Sequence, residues 1–398
     1  MRLLVLSNIV PYPPYGGVHL RVFNILKRIA ERHEVTLGCH SWSPEDLEGA
    51  DWLTRNGIRT VTGPLTAGNW RHAGPAVRAA ISGLPPELVQ YQTPELHALI
   101  ARERFDVLQV EETLLTPYAS SLPEGGATKT VLVLHNVQFL QAQRIARIET
   151  SLSGRLWRNA NARMMRRYEP AIAAKFDRLV AVSDADRAVL QGVAPGLAID
   201  VIPNGVDTML LRPLPEPDGK PALVFVGSLN YRPCADAVIW FVESVFPALR
   251  QHYPELELWL VGNQPPPEVE ALAGEGVFVT GRVDDVTPYY QRATVAVVPL
   301  RAGGGSRLKI LEAMALGRPV VSTTIGAEGI EAAPGRDILL ADDADGFAAA
   351  VSKLIDQKAL WRGVAANARR FVEDHHDWDL IAEKQLGIYD ELLENIEA

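Results

Sequence analysis

Short continuous apolar runs alternate along the chain with stretches whose apolar residues repeat at helical spacing. Residues 2–6, 34–37, 106–110, 130–134 and 178–182 are runs of the first kind, and residues 18–30 form a stretch of the second. The runs are too short for helices and lack the alternation of a half-solvated strand, so they predict strands buried on both faces. The pattern then restarts with residues 222–226, 256–261, 276–279, 295–299 and 319–322. Strand–helix alternation of this kind predicts doubly wound α/β domains built on parallel sheets.

The break between the two series falls at residues 203–221, where LRPLPEPDGKP is Pro-rich and polar as a linker should be. The expected organisation is a first domain over residues 1–211 and a second over 212–375. A helical segment within 376–398 has apolar residues spaced to pack on either domain, including back on the first. The opening MRLLVLSNIV is expected to be a buried strand rather than a leader, since Ser7 and Asn8 interrupt it and no small-residue cleavage site follows. No apolar run reaches the ~18 residues of a membrane span.

Composition narrows the class. With 398 residues, 47% hydrophobic and 22% charged, each of two domains has material for a packed core. A net charge of -9 argues against non-specific nucleic-acid binding. Two distant cysteines, Cys39 and Cys234, have no metal-like spacing and point to a reducing compartment with buried thiols. A cytoplasmic location is expected, with contact at the inner face of a membrane left open.

The strongest chemical feature is RAGGGSRLKILEAMALGRPVVS, residues 301–322. Gly303, Gly304 and Gly305 precede Ser306, the expected N-cap, and Gly317 and Pro319 mark the helix end. A glycine loop feeding a helix start presents unpaired N–H groups and a positive dipole end, which suits an anion. Arg307 and Lys309 are misplaced there unless an anion binds, because cations at a helix N-terminus are unfavourable. Glu312 follows further along the same helix, within reach of a ribose whose diphosphate sits at its start.

This segment resembles the donor-site signature of retaining glycosyltransferases of family 4 (glycosyl transferases group 1). Glu312, Ala313, Met314, Ala315, Gly317, Pro319, Val320 and Val321 match it. The resemblance implies a GT-B architecture: two Rossmann-like doubly wound parallel-sheet domains facing a central cleft that closes on the donor. It gives Glu312 the nucleotide ribose. The family's earlier Glu, which contacts the donor sugar, aligns with Gly304 and is missing. The basic pair that contacts the diphosphate aligns with Ser228 and Pro233 in LVFVGSLNYRP, so both cations are absent, with Arg232 beside the second. The diphosphate charge is therefore expected to be met by Arg307 and Lys309.

Further segments carry the same resemblance. VIPNGVD resembles the family's turn at the domain junction, and the backbone near Arg282 and Val283 resembles its nucleobase-binding stretch. Asp184 and Asp186 form an Asp-x-Asp, but Ser183 with Asp186 is better read as a capping box than as a metal motif. In the first domain, Gly16 and Gly17 precede a helix without forming Gly-x-Gly-x-x-Gly, which weakens a dinucleotide oxidoreductase. They resemble the family's Gly-Gly loop near the donor phosphate and acceptor; plain helix entry is the alternative. His135 and Asn136 follow a buried strand at its carboxyl end, where α/β ligands bind. The family often has a His there against the donor sugar. Glu111 and Glu112 follow another strand, as acceptor-orienting groups or as a solvated strand end.

The resemblance thus implies transfer of a sugar from a UDP- or GDP-sugar to an acceptor hydroxyl, with His135, Lys309 and Arg307 as candidate catalytic residues. The acceptor is a saccharide, a lipid-linked glycan or a small molecule, and no cofactor or essential metal is expected. A sugar-nucleotide epimerase and a catalytically inactive sugar-nucleotide binding protein are the alternatives. Residues 144–167 hold Arg144, Arg147, Arg155, Arg158, Arg163, Arg166 and Arg167 with Trp157 interleaved. Such a stretch suits an anionic membrane or a lipid-diphosphate acceptor, or else is a solvated face covering apolar surface.

Overall fold

The computed structural model describes residues 1–14, 16–65, 84–148, 151–302 and 307–397. The chain divides into two compact units. Unit 1 holds residues 1–143, 155–203 and 379–398, and unit 2 holds 144–154 and 204–378.

Unit 1 is built on a seven-stranded sheet of order β3-β2-β1-β4-β5-β6-β7. Its strands are β1 (Arg2–Ser7), β2 (Glu34–Ser41), β3 (Arg59–Pro64), β4 (Val107–Glu111), β5 (Lys129–Leu134), β6 (Arg178–Ala181) and β7 (Ile199–Val201). All neighbours are parallel. Unit 2 has a six-stranded parallel sheet of order β10-β9-β8-β11-β12-β13. These are β8 (Ala222–Val226), β9 (Glu257–Val261), β10 (Val277–Gly281), β11 (Val295–Val298), β12 (Val320–Ser322) and β13 (Leu339–Leu340). Each apolar run of the sequence becomes a strand, and the three strands it did not announce, β3, β7 and β13, are all sheet edges or short. An edge strand buries less of itself, so its sequence needs less apolar continuity; the exposure pattern of β3 runs from exposed through half-buried.

The segment from Asp379 onward belongs to unit 1. Its helix, Trp378–Glu397, buries Ile381, Ala382, Leu386, Tyr389 and Leu392. Burial of a Leu or Ile side chain stabilises by about 1.5–3 kcal/mol. Arg28 pairs with Asp379, Arg32 with Glu383 and Arg178 with Glu391; these pairs are solvent-exposed and add little.

Within unit 2 the Asn204-Gly205 segment, expected as a turn, is not folded as one and lies against residues 376–378. Val206 N donates to His376 O at 2.7 Å and Trp378 N to Val206 O at 3.2 Å. Gly205 is required because a Cβ would stand 2.6 Å from the Trp378 ring. Fully buried Arg318 fastens the Pro-rich linker to this unit, donating to Pro215 O at 2.6 Å and Tyr290 O at 2.7 Å.

The capping expectation at Ser183 holds in part. Ser183 caps the Asp184–Val193 helix by accepting from Asp186 N at 3.1 Å. The Asp186 carboxylate turns to the Ser183 hydroxyl at 2.6 Å instead of the backbone N–H that a reciprocal box would use.

Candidate functional site

In unit 2 the strand order reverses between β8 and β11, and open α/β sheets bind ligands outside the carboxyl ends of the strands at such a point. The chain after β8 is Gly227-Ser228, and the chain after β11 leads to the helix Leu308–Ala315. From that helix Lys309 reaches back to the end of β8. Its Nζ lies 4.1 Å from the centroid of the Phe225 ring and 3.5 Å from Cys234 Sγ. Gly227 makes room for it, since a Cβ at Gly227 would overlap Nζ. Gly262, after β9, is stripped for a related reason: a Cβ there would overlap the Gly227 carbonyl. The end of β8 is thus cleared of side chains for one ammonium group.

Electrostatics sharpen this. Burial pushes the Lys309 ammonium below the usual lysine range, against the opposing pull of Cys234, with Arg307 lowering it further. Burial likewise lowers Arg307, which is only 8% exposed. Among the described residues no carboxylate lies at ion-pair distance from Lys309. Two desolvated neighbouring cations at the start of a helix form an environment that an anion would relieve. On the same helix Glu312 accepts from the Tyr290 hydroxyl at 3.1 Å. Burial raises Glu312 to about 7, opposed by the Tyr290 hydrogen bond and by Lys309.

The helix begins one residue later than expected: Leu308 is its first residue and Arg307 holds the N-cap position. The expected cap Ser306, with Gly303, Gly304 and Gly305, lies outside the described residues. Gly317 ends the helix in the left-handed region at φ +68°. Ser228 follows Gly227 and is exposed. Arg232 opens the helix Arg232–Trp240 and stands 3.9 Å from Glu268. Arg282 and Val283 follow β10, which β9 separates from β8; Val283 packs on the core of the unit. Lys309, Arg307 and Glu312 are therefore brought together, while Arg282 and Val283 line a neighbouring strand end.

Unit 1 has its own reversal, between β1 and β4. Asn8, just after β1, spans it and donates to Glu112 Oε2 at 3.0 Å. Glu111 ends β4 and His135 follows β5; His135 Nε2 lies 2.6 Å from Glu111 Oε2. Gln109 donates to the other Glu111 oxygen at 2.6 Å. The solvated strand end considered for Glu111 and Glu112 is corrected: they are 3% and 7% exposed. Glu112 holds a φ of +80°, a conformation that L side chains rarely adopt and one that clusters at functional sites. Burial raises its carboxyl above the usual range, and neighbouring Glu111 raises it further against His135. Asn136 is half-buried beside this group. Gly16 is the N-cap and Gly17 the first residue of the helix Gly17–Ile29, also following β1. His135, Glu111 and Glu112 therefore converge with Asn8, which the sequence did not single out. Gly227, Cys234, Tyr290 and Gln109 were missed as well. The signal for Gly227 was its place directly after an apolar strand; the others were single residues in ordinary helices and strands.

Comparison with known proteins bears on the family and the fold. The model of "Glycosyltransferase Family 4" matches residues 15–210 and that of "Glycosyl transferases group 1" matches residues 220–357. The phosphatidyl-myo-inositol mannosyltransferase of Mycolicibacterium smegmatis is 28% identical over 302 residues, 73% of this chain and 72% of that protein. The D-inositol 3-phosphate glycosyltransferase of Acidothermus cellulolyticus is 29% identical over 258 residues, 56% of this chain and 55% of that protein. Among solved structures, the sucrose-phosphate synthase of Thermosynechococcus elongatus superposes with a TM-score of 0.76 at 20% identity, covering 99% of this chain and all of that one. The Anabaena HepE protein in complex with UDP and glucose superposes with a TM-score of 0.68 at 16% identity, covering 98% of this chain. Two parallel-sheet units, a donor signature on the second and matches along both make the chain a member of glycosyltransferase family 4, with the GT-B fold and glycosyltransferase activity.

Proposed function

We propose that the protein is a retaining hexosyltransferase that moves a sugar from a UDP- or GDP-sugar to an acceptor hydroxyl on a saccharide, a lipid-linked glycan or a small molecule. The carrying observation is Lys309, held half-buried at the cleared end of β8 with Arg307 before it and Glu312 after it on one helix. Lys309, Arg307 and the positive dipole end of the helix would stabilise the charge that develops on the leaving diphosphate. Glu312, fixed through one oxygen by Tyr290, would accept from the ribose hydroxyls with the other. Side-chain cations supply this charge, so no metal is assigned a step. His135 would contact the donor sugar while Glu111 holds its ring. The diphosphate would leave on the face where the acceptor hydroxyl attacks, which retains the anomeric configuration, and it would itself help to take the acceptor proton. The UDP named with HepE supports a uridine nucleotide among the candidates.

The acceptor side extends the proposal. The helix Leu152–Ala173 exposes Leu152, Leu156, Trp157 and Met164, with Arg155, Arg163, Arg166 and Arg167 also exposed. This combination suits the surface of an anionic membrane, and the phosphatidylinositol substrate in the name of the M. smegmatis relative supports a lipid-borne acceptor. Arg144 is withdrawn from this face, because it pairs with Glu328 within unit 2.

The test is a screen of UDP, GDP, ADP and their sugars by thermal shift, followed by turnover of the stabilising sugar nucleotide with Lys309→Ala and Glu312→Ala. Each substitution should abolish turnover with the fold intact, and activity retained in both would remove the site. A donor converted to its epimer without any acceptor would favour an epimerase instead.

A further inference from the structure

The His135–Glu111 pair is the end of a longer buried chain of hydrogen bonds. Glu111 Oε1 accepts from Gln109 Nε2 at 2.6 Å. The Gln109 amide oxygen accepts twice, from Tyr389 Oη at 2.5 Å and from Gln385 Nε2 at 3.1 Å. Both donors come from the helix Trp378–Glu397, more than two hundred residues further along the chain. Each member is at most 6% exposed.

The order of donors fixes every group. A carboxylate only accepts, so Gln109 must turn its NH2 to Glu111 and its oxygen to Tyr389 and Gln385. With the amide reversed, its oxygen would face the carboxylate and its NH2 would face the Gln385 NH2. The carboxylate thus decides which end of Gln109 it meets, and the two hydrogen bonds from the C-terminal helix hold the amide in that orientation. Glu111, satisfied on one oxygen, holds His135 Nε2 on the other and leaves Nδ1 for a ligand. Hydrogen bonds in series polarise one another and their effects exceed the sum of the pairs.

The chain is costly as pure structure. Fully buried Arg21 lies beside it, with its guanidinium brought down to about 10 by burial despite Glu111 and Tyr389. The Gln385 amide oxygen is buried without a partner among the described residues. An apolar core would avoid both penalties, and departures from that rule cluster at functional sites.

We propose that Tyr389, Gln385 and Gln109 are positioning residues that orient Glu111 and through it the His135 ring for glycosyl transfer. The proposal rests on His135 facing the donor sugar, and it makes the C-terminal helix part of the active-site support.

The experiment is a double-mutant cycle on the full chain with the identified donor, Tyr389→Phe and Gln109→Leu each in the wild-type and His135→Ala backgrounds, with thermal melting of every variant. Loss of orientation should lower kcat by about tenfold while leaving donor KM within about twofold. In the His135→Ala background the same substitutions should change kcat less than about twofold, because the residue they act through is gone. Equal losses in both backgrounds, or none, would overturn the proposal. A second readout needs no turnover: NMR of 13C-labelled histidine, with the His135 signal assigned by His135→Ala. Without Gln109 the Glu111 carboxylate and the ring it holds lose a fixed orientation, so the His135 13C signal should broaden or move in Gln109→Leu relative to the wild type. A His135 signal unchanged in position and width overturns the positioning role. Absence of glycosyl transfer by the wild type, with the NMR change present, would instead count against the proposed function and leave the relay standing.

Discussion

Gly227→Ala isolates the Lys309 ammonium from the rest of the proposed donor site. The new Cβ would overlap Nζ and stand 3.3 Å from Cε, and the three atoms nearest to it all belong to side chains. The obstacle is the far end of a flexible side chain, so Lys309 moves and the fold remains. At an effective dielectric near 20, unit charges attract by about 4 kcal/mol at 4 Å and about 3 kcal/mol at 6 Å. Pushing Nζ roughly 2 Å from a phosphate oxygen therefore costs about 1.4 kcal/mol, or about tenfold in Kd. Losing the Phe225 contact removes about 0.5–1 kcal/mol of cation–π attraction, a fall of only a few degrees in Tm. The assay is isothermal titration of the nucleoside diphosphate that stabilises the protein, at low and fixed salt. Gly227→Ala should weaken binding about tenfold, and the same change in a Lys309→Met background should add almost nothing. Unchanged affinity, or an equal loss without Lys309, would refute the placement of this ammonium against the diphosphate.

Gly262→Ala should behave oppositely, since its Cβ would overlap the Gly227 carbonyl and the backbone must shift; a loss of about 1–3 kcal/mol in denaturant unfolding is expected, whatever the ligand. Burial lifts Glu312 from 4.5 to about 7, so between those values the folded chain keeps a proton that the unfolded chain has released. Stability should fall as pH rises through that interval, and Glu312→Gln should flatten the slope. Nucleotide affinity should rise over the same range towards pH 8, because the carboxylate is the better ribose acceptor, and Glu312→Gln should remove that dependence. Replacing Arg163, Arg166 and Arg167 by Glu should weaken co-sedimentation with phosphatidylglycerol vesicles by at least about a hundredfold, at about 1 kcal/mol per lost cation, without changing binding to phosphatidylcholine.

The sequence made the central strands plain because a strand buried on both faces must be apolar throughout. The edges β3, β7 and β13 escaped because that demand relaxes at a sheet margin. The helix of the proposed donor site was legible from its cations standing where the helix dipole disfavours them. The setting of Lys309 became visible only with Gly227 and Phe225, which the fold brings to it from a strand more than eighty residues earlier. Glu111 and His135 were legible as residues after strands, but not as a pair, since adjacency of β4 and β5 fixes their meeting. Gln109 gave no signal at all: one polar residue in an apolar run looks like an interruption until Tyr389 and Gln385 arrive from a distant helix.

The return of residues 379–397 to unit 1 also sets an order of events during synthesis. A ribosome releases residues 1–203 long before that helix exists, so the first unit emerges with the bed of Ile381, Leu386 and Tyr389 uncovered and Gln109 without its two donors. The second unit is complete by residue 378 and can finish first. Maturation of the first unit therefore waits for the last helix, and a nascent chain stalled before residue 379 should be the more readily cleaved by protease in its N-terminal half.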